Sequence, residues 1–122
     1  MNEIKLGAVD AKFADIIWDN APLTTGELVK YCSEILGWRR TTAYTALKKF
    51  CDNGIFKTEN GTVTVIVTRD ELHSRQSERF VNEVFHGSLP AFIAAFANAR
   101  KLKPEEVKEI QRMIDEAKED EK

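Results

Sequence analysis

Apolar residues recur along this chain at two different periods, and the changes of period divide it into elements. From 8 to 20, "AVDAKFADIIWDN" places Val9, Phe13, Ile16 and Ile17 on one helical face, with Asp10 early enough to favour a helix N-terminus. Pro22, in "NAP", forbids continuation. A second helix starts at Thr24 or Thr25, where Glu27 stands at the capping-box spacing from Thr24. Its apolar residues Leu28, Val29, Cys32, Ile35 and Leu36 repeat at helical spacing, and Gly37 suits the left-handed position that closes a helix. The third helix is predicted over about 39–53, where Ala43, Leu47, Phe50 and Cys51 form an apolar stripe and Gly54 supplies the stop. Period two then takes over: Ile55–Thr58 and Thr62–Thr68 read as strands around Asn60-Gly61, a strong hairpin signal. Three helices and a hairpin in this order outline a winged helix-turn-helix domain.

From Arg69 the helical period returns three times. "DELHSRQSERFVNEVFHG" aligns Phe80, Val81, Val84 and Phe85, with Asp70 near its cap. "SLPAFIAAFANAR" is capped by Ser88 and apolar through Leu89, Phe92, Ile93 and Phe96. Pro104 and two glutamates open a last helix whose stripe is Val107, Ile110, Met113 or Ile114, and Ala117; the closing "KEDEK" is expected to fray. Helices this short cannot bury so many apolar side chains alone. The expectation is a two-fold homodimer joined through 70–118, with Phe80, Val84, Phe85, Leu89, Phe92, Ile93, Phe96, Ile110 and Ile114 in the interface. Folding back onto the N-terminal domain is the other solution. The fold class is therefore mainly α with a small β-hairpin: a winged helix-turn-helix domain over 1–69 and helical dimerisation over 70–122.

Composition adds a globular signature, with 43% hydrophobic and 31% charged residues, three Pro and six Gly in 122 residues. Net charge is −2, but it is unevenly spread. Residues 1–70 carry nine Lys/Arg against nine Asp/Glu, and 71–122 carry nine against eleven. Between Glu34 and Asp52 the balance is +4, from Arg39, Arg40, Lys48 and Lys49. A basic patch beside an acidic tail suggests a polyanion site on one surface. Nothing in the pattern reads as a leader or a membrane span, so a cytoplasmic protein is expected. Cys32 and Cys51 lack metal-ligand spacing and read as core residues in a reducing compartment, with metal or redox sensing as the weaker alternative. His73 and His86 lie apart from any ligand cluster, and no nucleophile elbow or phosphate loop is present. Neither an enzyme nor a cofactor is expected.

The third helix carries the specific chemistry. At ~100° per residue Tyr44, Thr45 and Lys48 fall within about 60° of Thr41, opposite the apolar stripe. That outward face has no glutamate; it offers hydroxyls and an aromatic ring, groups able to meet base edges or thymine methyls in a major groove. Thr41, Tyr44, Thr45 and Lys48 are the candidate base-contacting residues. Arg39, Arg40 and Lys49 at the margins, with Lys57 on the hairpin, suit phosphate oxygens. A winged-helix module that grips a protein instead of DNA remains the alternative. Trp18 and Trp38 invite a stacking role but are expected in the domain core.

Three stretches, "IIWDNAPLTTGELV", "GWRRTTAYTALKKFCDNGIF" and "VFHGSLPAFIAAF", resemble in order and spacing the BlaI/MecI/CopY family of bacterial repressors. The likeness runs over about residues 4–117, and the family's Trp-to-Lys-Gly pattern falls on Trp38 through Ile55, with Asn53 where Lys is usual. The resemblance implies a dimeric winged-helix repressor on a near-palindromic, double-stranded operator. The family's base-reading positions fall on Tyr44 and Thr45, and a regulatory protease or sensor is an implied partner. Departures concern regulation. Ala95-Phe96 stands where antibiotic-responsive members are cleaved at Asn-Phe, and no cysteine follows Cys51, whereas copper-responsive members carry C-x-C motifs there. Ala11 replaces the family's early Trp, and the hairpin lacks the usual Arg and Tyr.

Overall fold

Every helical stripe of the sequence folds as a helix. In the computed structural model, which describes residues 6–118, α1 (Ala8–Asn20), α2 (Thr25–Leu36) and α3 (Arg40–Asp52) pack with a small sheet of β1 (Leu23–Thr24), β2 (Phe56–Glu59) and β3 (Thr62–Val65). Then come α4 (Arg69–Phe85), α5 (Leu89–Ala99) and α6 (Pro104–Ala117). This is a winged helix, mainly α with a small antiparallel sheet. The end of "KEDEK" lies outside the described residues. Among those residues, no single helix is long and apolar enough to cross a membrane.

Phe13, Ile17, Leu28, Cys32, Phe50, Phe56 and Val63 are fully buried and form the centre of the core. Phe50 joins two elements to α3, its ring lying 5.5 Å from Phe13 on α1 and 5.4 Å from Phe56 on β2. Trp38 stacks on Phe13 at 5.6 Å, and the Trp18 indole N–H donates to the Val67 carbonyl at 3.0 Å. Both tryptophans are thus domain-packing residues. Val9 and Ile35 share the helical faces of their buried neighbours yet are exposed. Each sits next to a helix end, one turn beyond the residues that pack, so spacing alone overstates the buried face.

Local signals set the element ends. Thr24 and Glu27 close the expected capping box, with bonds of 3.0 and 2.9 Å, and Gly37 ends α2 at φ 68°. At the start of α4 the capping hydroxyl belongs to Thr68, which accepts from the Glu71 N–H at 3.2 Å, while Asp70 lies inside the first turn. Asn60 and Gly61 both adopt positive φ, as a two-residue hairpin turn requires. Two features differ from the expected hairpin. β3 stops at Val65, because the N–H groups of Ile66 and Val67 both donate to the Ile55 carbonyl and the alternating ladder ends there. A further strand, β1, pairs Leu23 with Val63 and Thr24 with Thr62, giving the order β1-β3-β2. The Thr25 N–H donates to the Gly61 carbonyl at 2.9 Å, which fastens the hairpin turn to the start of α2.

The chain forms two compact units that divide within α4, the first ending at Ser77 and the second starting at Glu78. The first turns of α4 belong with the winged helix. Leu72 is buried in its core, and Arg69 bonds Asp15 at 3.0 Å and Asp19 at 2.7 Å on α1. In the second unit α5 and α6 bury no residue at all. Phe80, Phe85 and Phe92 meet edge to face at 5.6–6.1 Å between centroids, and Phe96 lies 6.4 Å from Phe92.

Candidate nucleic-acid interface

α3 owes its orientation to its apolar stripe. Ala43, Ala46, Leu47 and Phe50 are buried, so Thr41, Tyr44, Thr45 and Lys48 are turned outward, as the helical wheel requires. Arg39 is the N-cap residue and Arg40 the first helical residue, so both stand at the positive end of the helix dipole. Cys51 is only half-buried; its thiol contacts the Thr58 hydroxyl of β2 at 3.5 Å.

The outward side chains are tied to neighbours. The Arg40 guanidinium lies 5.4 Å from the centre of the Tyr44 ring. The Thr25 hydroxyl, with Arg40 assisting, holds the Tyr44 phenol below its ordinary pKa by favouring the ionised form. Thr45 donates its hydroxyl proton to the Thr41 carbonyl at 2.9 Å, leaving its oxygen lone pairs and methyl group for a partner.

The charge balance differs from the sequence count. Lys48 pairs with Asp52 at 2.8 Å, Lys49 with Asp10 at 2.9 Å, and Lys57 with Glu59 at 3.2 Å. The Asp52 carboxylate raises the pKa of Lys48, so this lysine stays charged but carries its counter-ion with it. Among the described residues no carboxylate pairs with Arg39 or Arg40. The +4 of the linear stretch is thus reduced in the folded domain to these two uncompensated guanidinium groups.

Two shallow cavities flank α3. One, of about 290 Å³, is lined by Thr25, Tyr44, Leu47, Lys48, Cys51 and Thr58 and joins α2, α3 and β2. The other, of about 360 Å³, runs from Asp10 and Trp38 along Thr41, Thr42 and Thr45 to Lys49. The structure therefore brings Thr41, Tyr44, Thr45, Lys48, Arg39, Arg40 and Lys49 onto or beside one helix, and Lys57 onto the adjoining hairpin. Asp10 and Thr25 were not legible as part of this surface. Asp10 reads locally as a helix-start carboxylate and Thr25 as a helix-start hydroxyl, and only tertiary packing sets them beside α3.

A family model described as penicillinase repressor matches residues 6–116, nearly the whole chain. The chain belongs to the penicillinase repressor family. It is similar to the penicillinase repressor of Bacillus licheniformis, 24% identical over an alignment of 107 residues that covers 84% of this chain and 84% of that protein. Membership of the penicillinase repressor family makes this a transcription-regulating protein of the repressor type, and the family is not an enzymatic one.

Proposed function

We propose that this protein represses transcription by binding, as a homodimer, to a near-palindromic operator and setting α3 of each protomer into a major groove. The observation that carries the reading is the outward face of α3. Thr41, Tyr44, Thr45 and Lys48 lie together without an acidic residue between them, and Arg39 and Arg40, which no carboxylate among the described residues pairs, stand at the helix start. Tyr44, Thr45 and Thr41 then meet base edges, with Lys48 at the same face, while Arg39, Arg40, Lys49 and Lys57 meet phosphates.

Homodimerisation is supported by the second unit. Phe80, Val84, Leu89, Ile93, Phe96, Ile110 and Ile114 are exposed large apolar residues there, with Phe85 and Phe92 half-buried among them. A second copy is the covering that suits an exposed apolar face and a palindromic site together. A repressor of this kind works beside the chromosome, in the bacterial cytoplasm. A regulatory protease or sensor acting on the second unit would release it; Ala95 and Phe96 lie exposed on α5.

Selection of duplexes from a random pool tests the reading, followed by salt-titrated binding of the winning duplex and of a scrambled one. The double variant Tyr44→Ala, Thr45→Ala should lose the preference for the winner. Arg39→Ala should weaken both duplexes and reduce the slope of log K against log salt by about 1. Selection of no duplex by a dimeric protein would reject DNA readout in favour of a protein-gripping winged helix.

A further inference from the structure

Asp10 presents its carboxylate to α3 from a different helix, 39 residues away in sequence, and its partner is the Lys49 ammonium at 2.9 Å. The pair lies in the cavity that also exposes Thr41, Thr42 and Thr45, on the flank of the proposed reading face. Its side chains are 26% and 48% exposed, against 61% and 76% for Asp52 and Lys48, so water screens the Asp10–Lys49 pair less. We infer that Asp10 is a specificity-determining residue for DNA binding: by holding Lys49 in an intramolecular ion pair, it withholds one phosphate-binding charge from arbitrary sequence. The inference rests on the DNA-binding reading above and assigns a regulation of that same site.

Asp10 and a DNA phosphate compete for the Lys49 ammonium. Sequence-independent affinity for DNA comes from cations that neutralise phosphates and release counter-ions. On arbitrary sequence the protein is held loosely and no phosphate stays at one place, so a carboxylate fixed 2.9 Å from Lys49 keeps its partner. On the operator, contacts from Tyr44 and Thr45 seat α3 in one register and hold a phosphate against the margin, where it displaces Asp10. The carboxylate therefore subtracts more from non-specific binding than from specific binding. Asp52 stands in the same relation to Lys48 within α3, but that pair is more exposed and its competition weaker.

The test compares the wild type with Asp10→Asn, an isosteric change that keeps a residue suited to a helix start. Affinity is measured for the duplex selected from a random pool and for a scrambled duplex, across a salt series. Asp10→Asn should bind the scrambled duplex roughly two- to fivefold more tightly, the range of one weakly screened pair, with the salt slope steeper by about 1. The selected duplex should gain less, so the ratio of specific to non-specific affinity falls. Lys49→Ala should weaken the selected duplex more than the scrambled one, and in that background Asp10→Asn should have no effect. Glu105→Gln, the same charge change on α6, should leave both affinities unaltered. Unchanged scrambled-duplex binding in Asp10→Asn, or an equal gain in the Lys49→Ala background, would overturn this inference alone. A wild type that selects no duplex would overturn the DNA-binding reading and this inference with it.

Discussion

Thr45 shares the outward face of α3 with Thr41, yet its hydroxyl proton is already given to the Thr41 carbonyl. What it offers a partner is an acceptor and a methyl group, a distinction that follows from an i−4 contact and not from residue type. Glu106 shows the same dependence on neighbours. It accepts from both terminal nitrogens of Arg100 at 2.9 and 2.8 Å and from the Lys103 backbone N–H at 2.9 Å, with Arg100 also lying 4.9 Å from the Phe96 ring centre. The Arg100 pairing first, and the backbone bond second, lower its pKa from 4.5 to about 2. A depressed carboxylate pKa contributes stability above the unfolded value and loses it as pH falls through the folded one. The stability difference between wild type and Glu106→Gln should therefore be full above 4.5 and shrink as pH drops toward 2, as thermal unfolding at several pH values would record. The two thiols read alike in sequence, both on apolar stripes, but fold into different surroundings. Burial pushes Cys32 up to about 11, while Cys51 is half-buried at the cavity beside Tyr44 and Lys48. A thiol reagent at neutral pH should label Cys51 of the native protein well before Cys32, as peptide mapping would report.

At the scale of elements, helix starts were legible because their chemistry is local. The Thr24–Glu27 box needs only residues three apart, and Thr24→Ala should destabilise the winged helix by about 1 kcal/mol, read as a lower urea midpoint with an unchanged slope. Pro104 and Ser88 mark the starts of α6 and α5 in the same way. β1 was not legible: two residues between a proline and a helix carry no period, and Leu23–Thr24 becomes a strand only because β3 supplies its hydrogen-bonding partner. The short β3 has a related cause, since the doubled donation to Ile55 depends on where β2 begins. The site followed the same division. The outward set on α3 was readable from one helical wheel, whereas Asp10 and Thr25 reach it from α1 and α2 through contacts that no local window contains.

For the whole molecule the decisive quantity is the apolar surface of the second unit. Thirteen large hydrophobic residues are exposed among those described, and nine of them, from Phe80 to Ile114, belong to this unit. Patches of this kind on a chain this small suit the homodimer contact proposed above. Ile93→Glu places a charge among these residues, where Ile93 is 43% exposed on α5. Sedimentation should find the wild type dimeric and this variant monomeric, with the winged helix still folded. Affinity for the selected duplex should fall at least tenfold, on the order expected when two half-site contacts are no longer linked. A dimeric Ile93→Glu protein would place the two-fold contact elsewhere.

Period, caps and breakers along the chain determined the six helices, the hairpin turn and the outward face of α3, because each depends on residues within a turn or two of one another. Tertiary structure alone decided the third strand, the division inside α4 and the pairing of Lys49 on α3 with a carboxylate of α1. Charge counted along a sequence treats every lysine as available. The Lys48–Asp52 pair is local, four residues apart on one helix, but only folding sets Asp10 against Lys49, and Arg39 and Arg40 are left without a carboxylate partner among the described residues. The physical reason is range. A helix is specified over about four residues, but an ion pair is specified by whatever the fold brings within 4 Å, here a carboxylate 39 residues away.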